Sequence, residues 1–162
     1  MNALKHLWFP RSNLRRRFPS SAMSAIEQAV KASEARHRAE IRVIIESALD
    51  LRTLRRVKSV RDRAMEVFRE LGLERRAERN AVLIYVLLAE RAVAIIADTG
   101  LDARVTPREW QRVEEKIVEG FRANHWLGGV IDGIELATKL LAREFPAAGA
   151  DGEELPDRPS LL

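Results

Sequence analysis

Cysteine is absent from this chain of 162 residues. That excludes a disulfide framework, a thiolate zinc site and a cysteine nucleophile, and it fits a reducing compartment. No apolar run approaches the roughly 20 residues that a membrane-spanning helix needs. The longest, AVLIYVLLA from Ala81, has the length of a strand. Acidic residues are missing from the N-terminal part: none precedes Glu27, whereas Lys5, Arg11, Arg15, Arg16 and Arg17 do. Setting those five aside leaves 23 of the 28 basic residues against 24 acidic ones, so the body is near neutral and the high pI belongs to the arm. The opening residues MNALKHLWFPRSNLRRRF lack the continuous apolar core and the small-residue cleavage site of a signal peptide.

What remains is a composition that folds. Hydrophobic residues make up 46% and charged residues 32%, which suits a globular domain with one core and not a disordered chain. Three segments are expected: a basic, flexible arm over 1–19, an α/β domain over 20–146, and an acidic, proline-rich mobile tail over 147–162. Within the domain, PSSAMSAIEQAVKASEARH reads as a helix capped by Ser20 or Ser21, with Ala22, Ile26, Ala29, Val30 and Ser33 on one face. A strand follows in EIRVIIESAL, with Ile41, Val43 and Ile45 on one side. LRTLRRVKS reads as a basic connection. Ser59 then caps a helix whose face is Val60, Ala64, Val67, Phe68 and Leu71, and Gly72 stops it.

AVLIYVLLA is apolar throughout, as a strand buried on both faces must be. Glu90-Arg91 makes a short turn into AVAIIAD, so the two runs read as a hairpin. Thr106 and Pro107 open a helix with Trp110, Val113, Ile117 and Phe121 inward, and a last helix runs from about Leu127 to Phe145. Gly128, Gly129 and Gly133 follow no strand, so they are read as close helix packing and not as a dinucleotide fingerprint. Glu114 and Glu115 are placed on a solvated helix side. This order predicts a three-layer α/β fold: a small mixed sheet, made of a parallel βαβ unit plus an antiparallel hairpin, with helices on both faces.

The second apolar strand ends in Asp98-Thr99-Gly100, a triplet that carries one catalytic carboxylate in aspartic proteases. Such catalysis needs a second aspartate close enough to share a proton, in an almost all-strand fold. Here two long helices follow and no second Asp-Thr-Gly exists, so the protease reading fails on context. The bland reading is punctuation at a strand end. The hairpin geometry adds another. A turn at Glu90 and Arg91 places residue 98 opposite about residue 83 and residue 101 near Asn80, with the first strand starting nearby at Glu40. His37, Glu40, Asn80, Asp98 and Asp102 then gather at one end of the sheet. Carboxylates with an amide oxygen suit a hard cation, Ca2+ or Mg2+, and Asp98, Asp102, Asn80 and Glu40 are its expected ligands. The rival reading is a solvated acidic rim. His37 is read as a ligand or a base, or as a capping or surface residue near a helix end.

Taken together, Asn80 to Leu88, the Glu90-Arg91 turn, Val93 to Asp98, Gly100-Leu101-Asp102, Phe121, and Gly128-Gly129 with Gly133 resemble the second half of a TPM domain. HRAEIRVIIESAL resembles that family's first strand, and the likeness covers about residues 21–146. The resemblance implies a three-layer α/β fold. It also implies links to acid phosphatase activity, to divalent-cation binding and to the maintenance of membrane complexes, with Asp102 at a family acidic position. The chain departs from the pattern in two places: Ala81 stands where a glycine usually starts the strand, and Thr106-Pro107 stand where an acidic residue is frequent.

The arm mixes Trp8, Phe9 and Phe18 with arginines, which suits an interfacial contact with anionic lipid. Nucleic acid is disfavoured because the near-neutral body offers no second basic face. The sequence therefore leads to a non-catalytic TPM-like accessory domain, cation-binding, working with protein partners such as membrane proteins at the cytoplasmic membrane face. A metal-dependent phosphohydrolase is the alternative.

Overall fold

The computed structural model describes residues 1, 5, 6, 8, 9, 12–75 and 78–147. The expected tail beyond Ala147 lies outside the described residues, as do residues 2–4, 7, 10 and 11 of the arm. In chain order the elements are α1 (Ser12–Arg17), α2 (Ser20–Glu34), β1 (Glu40–Glu46), α3 (Leu51–Arg56), α4 (Val60–Glu70), β2 (Ala81–Leu87), β3 (Ala92–Ala97), the one-turn α5 (Thr99–Asp102), α6 (Pro107–Arg122) and α7 (Trp126–Glu144).

The sheet has the order β1-β2-β3, with β1 parallel and β3 antiparallel to β2. This is the expected mixed sheet, and β2 is central because every one of its residues can be buried. Alternate side chains serve two cores. Val82, Ile84 and Val86 join Ile41 and Ile95 under α2, α6 and α7. Leu83, Tyr85 and Leu87 join Ile96 under α4, with Leu49 and Val57. Full burial of side chains of this kind is worth roughly 1.5–3 kcal/mol each, so the strand commits the layered fold. On the first face α6 and α7 touch backbone to backbone. A Cβ added at Gly120 would lie 2.4 Å from the Gly129 Cα, which is why small residues stand there.

Several local expectations are corrected. The α2 N-cap is Pro19, without a side-chain bond, because Ser20 and Ser21 already lie in the first turn. The basic connection LRTLRR is helix α3, started by Asp50, whose side chain accepts from the Thr53 N–H. Leu71 is exposed and not part of the α4 face, whereas the Ser59 cap, which Asp62 completes as a capping box, and the stop at Gly72, with φ of +66°, are found where expected. Glu114 is half-buried, since its carboxylate accepts from the Ile95 N–H at 2.7 Å on the open side of β3, and Arg61 donates to the Ile95 carbonyl at 3.0 Å. Burial pushes the Glu114 pKa up.

Two described arm residues are buried against the body. Phe18 belongs to the first core, and the His6 ring is buried between the Glu90 carboxylate at 3.1 Å and the Leu49 N–H at 3.0 Å. Among the described residues no helix is long and apolar enough to cross a membrane.

Candidate functional site

The parallel and antiparallel ladders bring three expected residues to one sheet end. The Glu40 N–H donates to the Asn80 carbonyl at 3.1 Å, and the Asp98 N–H donates to the Ala81 carbonyl at 2.9 Å. Asp98 thus stands beside Ala81, two residues away from the expected partner near 83. The hairpin loop explains the shift. Leu88–Glu90 form a 3-10 turn and Arg91 adopts a left-handed conformation with φ of +49°, so four residues connect the strands instead of two.

The side chains are less convergent than the backbone. Asp98 is 4% exposed. Its Oδ1 caps α5 by accepting from the Thr99 N–H at 2.7 Å, and Arg79 Nη1 stands 3.6 Å away. Its Oδ2 is sealed from solvent and has no hydrogen-bond partner. Asn80 spends its amide group on the Arg38 carbonyl and, at 2.8 Å, on the Glu78 carboxylate. Glu40 pairs with Arg42 at 2.7 Å. Glu40 and Asn80 line a 460 Å³ cleft together with Glu34, His37, Arg38 and Glu78. The Asp102 side chain lies outside the described residues. Among the described residues no three His, Asp or Glu side chains stand close enough together to hold one metal ion. Glu40 and Asn80 are therefore neighbours on the cleft, while Asp98 sits beside them in the interior.

His37 is not a surface residue. It is 3% exposed, its Nε2 lies 2.8 Å from Ser33 Oγ, and that oxygen lies 2.6 Å from Thr138 Oγ1. Burial pulls the His37 pKa down, so the imidazole favours its neutral form. The trio ties α2 to α7 with satisfied hydroxyls, a structural arrangement that the lone histidine in the sequence did not announce.

Sequence reading also missed an ionic cluster at the other end of β1. The Tyr85 hydroxyl, fully buried, donates to Glu46 Oε2. Arg63 donates to Glu46 at 3.1 Å, to Glu66 at 3.3 Å and to Glu70 at 3.1 Å, and Arg56 forks onto Glu66 with two bonds of 2.8 Å. Burial and the Glu46 carboxylate push the Tyr85 hydroxyl far above the usual tyrosine range, so it stays protonated. Tyr85 and Glu46 are 39 residues apart in sequence, whereas Arg63 and Glu66 stand one helical turn apart.

No curated protein matches the chain. Its structure is similar to the NMR structure of the BA42 protein from the psychrophilic bacterium Bizionia argentinensis, at 32% identity and a TM-score of 0.71, over 86% of this chain and 91% of that one. The N-terminal domain of a protein from P. gingivalis shares the fold at 16% identity and a TM-score of 0.64, over 77% of this chain and 76% of that one. The N-terminal domain of the cg2496 protein from Corynebacterium glutamicum does so at 16% identity and a TM-score of 0.57, over 75% and 72%. The family profile described as the TPM domain, TPM_phosphatase, matches residues 17–140. That span takes in all three strands and most of the helices packed on them, and so the chain belongs to the TPM domain family.

Proposed function

We propose that this chain is a non-catalytic accessory domain that binds a divalent cation, Ca2+ or Mg2+, at the Asp98 end of its sheet. It works in a protein complex at the cytoplasmic face of a membrane, with its arm on anionic lipid. The observation that carries the cation reading is Asp98 itself. A carboxylate oxygen withdrawn from water without a donor is costly, and Oδ2 is such an atom, while the half-exposed Arg79 stands 3.6 Å from Oδ1. A cation entering beside it supplies the missing partner. Glu40 and Asn80 reach the same end of the sheet, and Asp102 follows one helical turn later. Hard oxygen donors of this kind suit Ca2+ or Mg2+.

The test is a calcium titration followed by calorimetry and by thermal unfolding. Binding to the folded state stabilises it by about 2.7 kcal/mol at a hundredfold excess over Kd, so Tm should climb with the logarithm of calcium. Asn retains the capping geometry at position 98, so Asp98→Asn with Asp102→Asn should fold and should lose the effect. No heat and no shift in the unaltered chain would sink the reading. The second reading, a metal-dependent phosphohydrolase, is favoured by the phosphatase in the matching family's description. Hydrolysis of p-nitrophenyl phosphate that depends on metal and disappears in the same double variant would put it first.

A further inference from the structure

At the hairpin end of the sheet, away from Asp98, a second cleft of 460 Å³ is lined by Arg16, Arg17, Arg91, Asn124, Trp126 and Leu127. Three separate parts of the chain meet there: α1, the β2–β3 turn and the start of α7. The Trp126 ring is their common platform. The Arg17 guanidinium carbon stands 4.3 Å from its centroid and that of Arg91 5.8 Å, while Phe121 stacks on the same ring at 4.6 Å. Among the described residues no carboxylate pairs with Arg16, Arg17 or Arg91. The carboxylate next in sequence, Glu90, is engaged by Lys5 at 3.4 Å and by His6 at 3.1 Å.

Three features of this cleft call for an anion. Arg17 Nη1 is sealed from solvent and has no hydrogen-bond partner, and a buried charged donor left unpaired is costly. Burial, then Arg91 and Arg16, lower the Arg17 pKa, the mark of cations crowded together without compensation. Helix α7, 19 residues long, begins at Trp126 with no side-chain cap and no acidic residue in its first turn. Its N-terminal partial charge therefore adds to that of the guanidiniums. Planar guanidiniums around a helix start match the oxygens of a phosphate group.

We propose that the Arg16–Arg17–Arg91 cleft is a phosphate-binding site, taking either free phosphate or the phosphate of a lipid headgroup. Trp8, 84% exposed, stands next in sequence to Phe9, whose ring lies 5.5 Å from the same Arg17 guanidinium. An exposed indole beside a phosphate site is the pairing that the headgroup layer of a membrane accommodates. The lipid form of the site rests on the reading of the arm as a membrane contact. The phosphate site itself does not.

The full chain, labelled with 15N, gives three indole signals, one for each tryptophan. Inorganic phosphate should move the Trp126 signal, whose Nε1 is held by Asn124 Oδ1 at 2.9 Å, while chloride at equal ionic strength should not. Arg16→Gln with Arg91→Gln should raise the phosphate Kd at least tenfold, and both positions are exposed, so the fold should persist. Co-sedimentation with phosphatidylcholine vesicles containing phosphatidylglycerol forms the second arm, where the same variant should bind at least tenfold more weakly. Phosphate binding without any vesicle binding keeps the site, assigns it to a soluble phosphate and removes the membrane reading. Vesicle binding that the variant leaves unchanged, with no phosphate effect on Trp126, overturns the site and leaves the arm's membrane contact standing. A Trp126 shift of equal size in the variant also overturns it.

Discussion

Arg63 and Arg17 are both drawn in against the body of this domain, yet their surroundings differ in kind. Arg63 is met by Glu46, Glu66 and Glu70, and its neighbour Arg56 by Glu66. Arg17 is met by aromatic rings and by the positive charge of Arg16 and Arg91. In the first cluster every cation has its anion within the fold, and the arrangement holds α3, α4 and β1 together. In the second the compensation is missing from the described residues. A fold that can neutralise one arginine cluster so completely is not short of carboxylates. The uncompensated cluster is thus informative, and it locates the place where an anion from beyond the described residues is expected.

The comparison breaks most visibly if the paired cluster is damaged. Glu46→Ala leaves the buried Tyr85 hydroxyl without its acceptor and removes one partner of Arg63. A buried group left unsatisfied costs roughly 1–3 kcal/mol, which urea denaturation should record as a lower midpoint with an unchanged slope. A loss below the error of that measurement would mean that water replaces the carboxylate and that the cluster is less closed than its geometry says.

A smaller effect tests the pairing by pH. Hydrogen bonds from Arg56 hold the Glu66 pKa below the ordinary carboxylate value. A group depressed in the folded state contributes its stability in full above the unfolded pKa and loses it as pH falls through the folded one. The stability of Glu66→Gln should therefore lie below that of the unaltered chain at neutral pH and converge with it in acid. Parallel curves across that range would show that Glu66 stabilises by something other than its charge. The smallest effect belongs to the unpaired cluster. Removing repulsion, Arg16→Gln with Arg91→Gln should raise Tm slightly at low salt, and the gain should fade at high salt as screening removes the same repulsion. A lowered Tm would place these two arginines with the structural ones.

How much of this was legible in the sequence follows from the range of each interaction. The all-apolar run of β2 and the helix start at Thr106–Pro107 are local, and both were readable. The hairpin was readable but its length was not, because the Leu88–Glu90 turn borrows two residues, Leu88 and Ala89, that look like strand. That misplacement moved Asp98 by two positions, so the sheet end was recognised while the register at it was not. The Glu46–Tyr85–Arg63 bonds join β1, β2 and α4 across long separations, where composition carries no signal. The arm was set apart as a charged appendage with Phe18 read as an interfacial residue, whereas the body buries both Phe18 and His6.

One feature reaches beyond the single molecule. A three-stranded sheet has two flanks and only one inner strand, so most of its length is open to a stranger's backbone. Here the Glu114 carboxylate holds the Ile95 N–H on one flank, and the Glu34 carboxylate holds the Ile41 N–H at 3.1 Å on the other. An incoming strand meets a donor already taken and a charge in its path on either side. Each glutamate thus takes one edge donor and sets a negative charge beside it, an arrangement that disfavours the recruitment of a fourth strand.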